Sequence, residues 1–252
     1  MWENLPNGTD VSSGSRTVLN NAFPSDWPDN EYIFNAAGPA TTTPGDFISL
    51  GVVVLKSTSQ GSVGIKSADT ADNPLVDTKW FQTKEDQELG IQGLKRVRLF
   101  ANTTGVLAGP EILPGPAVQT DDQILTFIKS AASPSHHAVG TCKATIQLQF
   151  GRSTALTYYF LIVGKMGKAS DASAVVDTNG CVLGGVSGLR VVDASIMPLL
   201  PPGQPMSTVC KCLGDSGELM APANVARLDA IAEKLAANIL SGRACSGLAA
   251  TA

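Results

Sequence analysis

His137-Ala138-Val139-Gly140-Thr141-Cys142 is the stretch of sequence from which the fold and the chemistry of this chain can be inferred. It places a Gly-Thr turn almost directly after a histidine. A positioned imidazole is well suited to take up a proton near neutral pH. His136 and His137 are the two histidines of the chain, and an isolated pair of this kind is more often a surface or capping feature. The pair alone therefore leaves both interpretations open.

The composition is typical of a globular protein with small-molecule partners. Of the 252 residues, 43% are hydrophobic, which is enough for a substantial core. Only 16% are charged and the net charge is -4, so no basic face or polybasic segment predicts a nucleic-acid or membrane partner. The longest apolar run, Tyr158 to Val163, is too short to span a bilayer. We therefore expect a small polar or apolar substrate, no nucleic acid and no membrane.

The cysteines do not predict a metal site. There are five, an odd number, and only two histidines accompany them. The single-residue spacer of Cys210-Lys211-Cys212 is tighter than zinc or thioredoxin-like spacing. We interpret the cysteines as incidental thiols: Cys142, Cys181, Cys210, Cys212 and Cys245.

Localisation stays open at the level of sequence. The triplets Asn7-Gly8-Thr9 and Asn102-Thr103-Thr104 are N-glycosylation sequons and are compatible with a secreted parent protein. The first residues, from Met1 to Pro6, do not have the basic and apolar regions of a signal peptide, so we expect none in the chain as written.

Periodicity predicts a mixture of strands and helices. Residues 1–45 are rich in turn formers, and we expect little regular structure there. Phe47–Lys56 and Ser62–Lys66 read as two antiparallel strands. Leu94, Val97 and Ala101 fall on one face of a helix that begins near Lys84. A second helix is predicted after the N-cap sequence Thr120-Asp121-Asp122.

The C-terminal part continues this α+β pattern. Asn179-Gly180 lies between two apolar stretches and predicts a hairpin over 175–183. Gly188–Asp193 is predicted to be a buried strand. A last helix is expected from about Leu228 to Ser241, with Ile231, Leu235 and Ile239 on its apolar face.

Several blocks of the sequence resemble the glucose-methanol-choline (GMC) oxidoreductases. The 137–142 stretch is similar to the first half of the signature His-x-Val-Gly-Thr-Cys-x-Met-Gly, whose second half stands at Lys165-Met166-Gly167. Further C-terminal blocks follow in the family's order at 176–177, 188–198, 201–209 and 232–234. Upstream, the segments 26–28, 61–63 and 73–77 resemble the substrate domain of fungal members. Nearly the whole chain is covered.

The resemblance implies an active site and a cofactor, FAD. His137 matches the catalytic base that takes the hydroxyl proton of the substrate, with His136 as a steric neighbour. Gln204 occupies the second catalytic position, usually a histidine or asparagine; it is 67 positions from His137, or 45 without the segment 143–164. Positions that lie against the flavin are matched by two pairs, Asp193-Ala194 and Pro205-Met206. Asp193 is equally well explained as a turn-capping carboxylate, and Gln204 as drift in a gene no longer under selection.

The resemblance also marks what is missing and what is added. We find no Gly-x-Gly-x-x-Gly turn, so the Rossmann-like FAD-binding domain of the family is expected to be missing. Two segments, 143–164 and 210–228, interrupt family motifs. Because tolerated insertions usually enlarge exposed loop tips, inserts inside motifs favour retained introns.

We therefore predict an α+β chain with an antiparallel sheet flanked by helices. It corresponds over 1–252 to the GMC C-terminal substrate-binding domain with two inserts. The resemblance implies oxidation of CH–OH groups of alcohol-type substrates, completed by an N-terminal FAD domain of the parent enzyme. The alternatives are a catalytically inactive, truncated or pseudogene-like fragment that binds no FAD, and a family member with lyase or cyclase chemistry.

Overall fold

A computed structural model of the chain describes residues 1–35, 47–105, 109–132, 156–158, 165–171, 174–185, 187–197, 202 and 230–245. The described residues fall into two compact units. Unit 1 takes those within 1–61, 77–136 and 146–160, and unit 2 takes those within 62–76 and 161–252. The combination of a small sheet and helices is α+β, as the sequence predicts. The extent of the domain and the two inserts stay predictions.

Along the chain, the described elements are β1 Trp2–Glu3, α1 Ser13–Ala22, β2 Asn30–Asn35, β3 Ser49–Val54, β4 Ser62–Gly64, β5 Leu75–Asp77, α2 Lys84–Thr103, α3 Asp121–Ala131, β6 Leu156–Tyr158, β7 Lys165–Met166, β8 Ala174–Val176, a 3₁₀ turn Ala194–Ile196, and α4 Ala230–Leu240. No helix among the described residues is long and apolar enough to cross a membrane.

The main sheet belongs to unit 1 and has the strand order β1-β2-β3-β6. Strand β3 is buried along its whole length, and its antiparallel register with β2 pairs Val52 with Tyr32. On its other side β3 pairs in parallel with β6, Val52 opposite Leu156. The prediction of an antiparallel sheet is therefore correct for β1 to β3 and wrong for β6. Because β6 lies within 143–164, a segment interpreted as an insert supplies the parallel strand.

Strand pairing differs from the sequence-based prediction in a second place. The strands expected at Phe47–Lys56 and Ser62–Lys66 both exist, as β3 and β4, but they do not pair with each other. Strand β4 pairs with β5, and a further two-stranded sheet joins β7 to β8 in parallel. Alternation along a strand shows its faces but does not show its partner, which is fixed by contacts distant in sequence.

Residues 1–35 are more regular than their composition predicts. They contain β1, α1 and β2, so the expectation of little regular structure is wrong there. The N-terminus of α1 is tied to α2 because Glu88 accepts from the backbone N–H and the hydroxyl of Ser12 at 2.9 and 3.1 Å. Leu19 of α1 is fully buried. Tertiary contacts of this kind stabilise a helix that has few apolar residues.

Both central helices of unit 1 are confirmed. The buried side chains of α2 include Leu94 and Val97, as predicted. Helix α3 begins with a capping box: Thr120 Oγ1 accepts from the N–H of Gln123, whose side chain accepts from the N–H of Thr120. Ile124 and Ile128, one turn apart, are fully buried.

A buried carboxylate joins three segments of unit 1. Asp29 is fully buried, and its carboxylate oxygens lie 2.5 Å from Arg16 Nη1 and 3.0 Å from Lys56 Nζ. It also accepts from the N–H of Leu5 at 2.9 Å. A buried charge loses its hydration and is stable only if other groups pair with it. Two cations and a backbone donor do so here.

A second carboxylate, Glu88, has a perturbed pKa. Partial burial acts to raise it, but hydrogen bonds from Ser15, from the N–H and hydroxyl of Ser12 and from Lys84 outweigh burial. The pKa of Glu88 is therefore lowered. The folded state favours the ionised carboxylate at this position.

Candidate functional site

The described part of the predicted site is the turn that carries Asp193 and Ala194, in unit 2. The other four predicted site residues, His137, Gln204, Pro205 and Met206, lie outside the described residues. The structure therefore brings together only the neighbouring pair, and the assignment of all six stays a prediction.

Asp193 caps the 3₁₀ turn. Its carboxylate accepts from the N–H of Ser195 at 2.7 Å, and the N–H of Met197 donates to the carbonyl of Ala194 at 3.2 Å. These contacts account for the capping role that the sequence left open. The predicted position against a flavin does not conflict with capping, because Asp193 is exposed to solvent.

The 3₁₀ turn is anchored in the core of unit 2. Ile196 is fully buried and packs with Val176 of β8 and Leu235 of α4, which are also fully buried. The burial of Leu235 on α4 confirms part of the predicted apolar face, but Ile239 is 51% exposed, so that part of the prediction is wrong. The turn thus has one side fixed in the core.

A hairpin turn positions the chain that leads to Asp193. Asp177 accepts from the N–H groups of Asn179 and Cys181 at 2.8 and 2.9 Å. Its own N–H donates to the carbonyl of Cys181 at 2.9 Å, which closes the predicted hairpin. The N–H of Val191 donates to the carbonyl of Gly180 at 2.9 Å, so the hairpin holds the segment two residues before Asp193.

The segment 188–193 is not the buried strand that its apolar alternation predicts. It forms a single bridge, between Cys181 and Arg190, and Leu189 and Val192 are 51% and 45% exposed. Pairing at one residue leaves these side chains at the surface of unit 2. The exposed apolar side chains lie next to Asp193 in sequence.

Asn179 is a hydrogen-bonding centre that sequence reasoning missed. Its backbone carbonyl accepts from Arg190 Nη1 at 2.6 Å, and its side-chain oxygen accepts from Arg243 Nη1 at 3.0 Å and Asn238 Nδ2 at 3.3 Å. Asn238 belongs to α4, so the C-terminal helix is bound to the hairpin tip. Nothing in the local sequence marks these partners, which lie up to 64 positions away.

A disulfide between Cys181 and Cys245 adds a covalent link to this contact, with their Cα atoms 5.4 Å apart. The interpretation of the cysteines as incidental thiols is therefore wrong for these two. The other three cysteines lie outside the described residues. Among the described residues, no group of three or more histidine, cysteine, aspartate or glutamate side chains is placed to bind a metal.

Unit 1 has a separate cavity of about 240 Å³ between its sheet and α2, which contains none of the predicted site residues. Phe34 and Phe100 contribute to its wall, with ring centroids 5.0 Å apart. Tyr32 donates to Glu3 at 2.8 Å, and Glu3 also pairs with Arg96. Burial and the contact with Glu3 raise the pKa of Tyr32, so its hydroxyl stays protonated.

Comparison with known proteins identifies the family. The sequence profile of GMC oxidoreductases matches residues 57–145 and 163–211, more than half of the chain. The matched ranges contain all six predicted site residues.

Several fungal proteins are similar in sequence to most of this chain. Dehydrogenase pkfF of Emericella nidulans is 35% identical over 217 residues, which are 82% of this chain and 31% of that protein. Versicolorin B synthase of Aspergillus parasiticus is 37% identical, over 88% of this chain and 29% of that protein. Patulin synthase of Penicillium expansum is 34% identical, over 82% of this chain and 32% of that protein.

The chain thus spans about a third of the length of the relatives that it matches. The matched ranges contain the signature halves at 137–142 and 165–167 and the blocks at 176–177, 188–198 and 201–209. The chain therefore belongs to the GMC oxidoreductase family, of which it carries the C-terminal domain.

Proposed function

We propose that this chain forms the substrate-binding part of an FAD-dependent oxidoreductase that acts on CH–OH groups of alcohol-type substrates. The observation that carries the proposal is the family match, which includes both His137 and Gln204 and the turn at Asp193. Fold alone would not assign an activity, but a family match whose range spans the positions assigned to the reacting groups supports a shared chemistry.

The described part of the site fits a flavin in two respects. First, Asp193 is exposed, and Ala194 is half-buried and carries only a methyl group. Second, the turn is fixed from behind by Ile196, so it offers a stable surface to a flat ring. We assign Asp193, Ala194, Pro205 and Met206 to contacts with FAD.

FAD, when bound, supplies the acceptor for the hydride that leaves the substrate carbon. His137 takes the proton of the substrate hydroxyl at an imidazole nitrogen, which is the step that makes the C–H bond easier to break. A positioned general base of this kind typically contributes about 10²- to 10⁴-fold in rate. Gln204 orients the substrate oxygen by hydrogen bonding, since an amide both donates and accepts but does not change charge near neutral pH.

The ends of the matched ranges lie close to the two inserts. The matched ranges leave out 146–162, which lies within the insert 143–164, and they end at 211, just after the second insert begins at 210. We propose that the active enzyme lacks both segments. Transcripts spliced from Cys142 to Lys165 would support this, whereas transcripts continuous through both segments would contradict it.

The proposal includes an FAD-binding domain that this sequence does not contain. Because the chain spans about a third of its relatives, an FAD-binding domain outside this sequence would complete the site. The chain alone would then do no chemistry. The competing proposal is an inactive fragment that binds no FAD even when such a domain is present.

A second candidate function is lyase or cyclase chemistry without net oxidation. Versicolorin B synthase and patulin synthase, two of the relatives compared above, have names that specify no oxidation, and Gln204 replaces the histidine common at its position. Product analysis separates the two functions, because only the oxidoreductase converts a CH–OH group into a carbonyl with a matching loss of oxidised flavin.

The role of His137 is tested in the enzyme restored with its FAD domain and without the inserts. We expect His137→Asn to lower kcat/KM by about 10²- to 10⁴-fold, because the hydroxyl proton has no acceptor. The visible bands of bound FAD should remain. His136→Asn is the matched control and should keep the order of magnitude of the rate. A His137→Asn variant within a few-fold of the parent enzyme would contradict the assignment.

A further inference from the structure

The sequon Asn7-Gly8-Thr9 lies at the tip of an exposed turn. The N–H of Thr9 donates to the carbonyl of Pro6 at 3.2 Å, which closes a four-residue turn over 6–9. Gly8 has φ of 94°, the left-handed conformation that the third residue of a type II turn requires. Asn7 is exposed, and no heavy atom lies within 4 Å of the position that a Cβ on Gly8 would take.

The residues on both sides of this turn are held in place by hydrogen bonds. On one side Leu5 is buried and its N–H donates to Asp29. On the other side the N–H of Ser12, the N-cap of α1, donates to Glu88. Because both ends are fixed and the tip is exposed, a bulky group on Asn7 would point into solvent without disturbing the core of unit 1.

The second sequon, Asn102-Thr103-Thr104, is in a different environment. Asn102 is exposed but lies in the last turn of α2, and Thr104 is the C-cap of that helix. Residues two apart on a helix do not face each other, so the Asn and Thr side chains are held apart in the folded state. Asn7 is therefore the better acceptor of the two.

The disulfide gives an independent indication of the same compartment. Cys181 and Cys245 are bonded although 64 positions separate them. Disulfides form and persist in oxidising compartments and are rare in the cytosol. A sequon is modified in one of those compartments, the endoplasmic reticulum, so a disulfide and a glycan can be acquired together.

From these observations we propose that Asn7 carries an N-linked glycan, added in the secretory pathway where the Cys181–Cys245 disulfide forms. The co-reactant is an oligosaccharide linked to a lipid pyrophosphate. The amide nitrogen of Asn7 forms a bond to the anomeric carbon and loses one proton, while the bond from that carbon to the pyrophosphate breaks and the lipid pyrophosphate leaves. For the disulfide, two thiols lose two electrons and two protons to a disulfide of an oxidoreductase. This proposal rests on one part of the proposed function, the longer parent protein, which would carry Asn7 into the secretory pathway; it does not depend on FAD binding or on the reaction.

The test uses the full-length protein isolated from cells that express its own gene. It is treated with peptide N-glycosidase, and the peptide containing Asn7 is analysed by mass spectrometry. With the glycosidase step run in H₂¹⁸O, we expect release of one glycan and conversion of the Asn7 side chain to an ¹⁸O-labelled carboxylate, a gain of about three mass units. Spontaneous deamidation of Asn7-Gly8 in ordinary water before that step gains only about one unit, so the two are distinguished. In denatured protein, Cys181 and Cys245 should be alkylated only after reduction.

Thr9→Ala and Thr9→Ser are the matched variants. The first removes the sequon and should abolish the glycan at Asn7. The second keeps the sequon and a hydroxyl like that of Thr9, which donates to the carbonyl of Pro6 at 3.0 Å. Site mapping in the wild-type protein and in the serine variant does not depend on the alanine variant folding. An unmodified Asn7 in the isolated wild-type protein would overturn the proposal, and so would a glycan on Asn102 alone.

Discussion

Asp86 gives the sharpest stability prediction, because one buried carboxylate holds a loop to the start of α2. Its Oδ1 accepts from the N–H of Thr58 at 2.7 Å and its Oδ2 from the N–H of Ser59 at 2.9 Å. The hydroxyls of Ser57 and Thr58 add contacts at 3.0 and 3.1 Å. Asp86 is fully buried, so water does not replace these bonds if they are lost.

The structure makes Asp86→Asn costly although the side chain keeps its shape. The two backbone N–H groups point at different carboxylate oxygens, and an amide offers an oxygen to only one of them. In either orientation its NH₂ group faces a backbone donor. A buried donor left without an acceptor costs about 1–3 kcal/mol, so we expect Asp86→Asn to lower the free energy of unfolding by about 2–3 kcal/mol. Asp86→Ala loses all four contacts and should cost about 3–5 kcal/mol, since such terms are not additive.

Urea unfolding followed by tryptophan fluorescence measures this loss, because Trp2, Trp27 and Trp80 are all in unit 1. Glu85→Gln is the control: it removes the same charge from the same helical turn, and we expect a change within about 0.5 kcal/mol. An Asp86→Asn variant as stable as the control would refute the reasoning, because it would mean that the second acceptor contributes nothing.

Three further predictions concern packing and pH. Gly93→Ala would place a Cβ 2.5 Å from a methyl group of Val52 in β3, and we expect it to lower the free energy of unfolding in urea by about 1–3 kcal/mol. Gly14→Ala, at an open position on α1, is the control and should be neutral or stabilise by about 0.5 kcal/mol. Leu235→Ala should cost about 2–5 kcal/mol and speed hydrogen exchange in the 176–182 hairpin, whereas Leu240→Ala, at an 88% exposed position, should leave it unchanged. The pKa of Glu88 is lowered in the folded state, so Glu88 contributes to the free energy of unfolding above its ordinary pKa of 4.5. This contribution is lost as the pH falls through the folded pKa, and Glu88→Gln should therefore flatten that part of the curve of stability against pH. An unchanged curve at acid pH would contradict this.

Elements with a local signal were predicted correctly from the sequence. Helix α3 has its cap, its acidic first turn and its apolar spacing within a dozen residues, and the structure shows all three. The hairpin at Asn179-Gly180 has an equally local turn signal. Helix α1 has a local N-cap, Ser12, but few apolar residues, and the contact of Ser12 with Glu88 joins residues 76 positions apart.

Two further errors concern which segments pair. Strand β4 alternates as an amphipathic strand should, yet its partner β5 lies beyond an intervening segment that carries no pairing signal. The Cys181–Cys245 bond was missed for the same reason, since five cysteines do not indicate which two meet.

The candidate site depended on motif resemblance more than on physical pattern. His137 next to His136 does not predict a base by itself, and Gln204 has no local feature that marks it as functional. Asp193 is different, because its capping contact with Ser195 follows from a short polar side chain at the start of a turn. The capping pattern thus explains how Asp193 is held, whereas its position against a flavin stays a prediction.

The most direct test of the central claim is an FAD titration of two proteins, followed by flavin fluorescence and visible absorption. One is this chain as written, and the other has the FAD domain restored and the segments 143–164 and 210–228 removed. We predict no saturable binding by the first, and by the second a yellow complex whose visible bands bleach when its alcohol substrate is added without oxygen. Failure of the restored protein to bind FAD would contradict the account, and saturable binding with bleaching by the chain alone would contradict its division of the site between two domains.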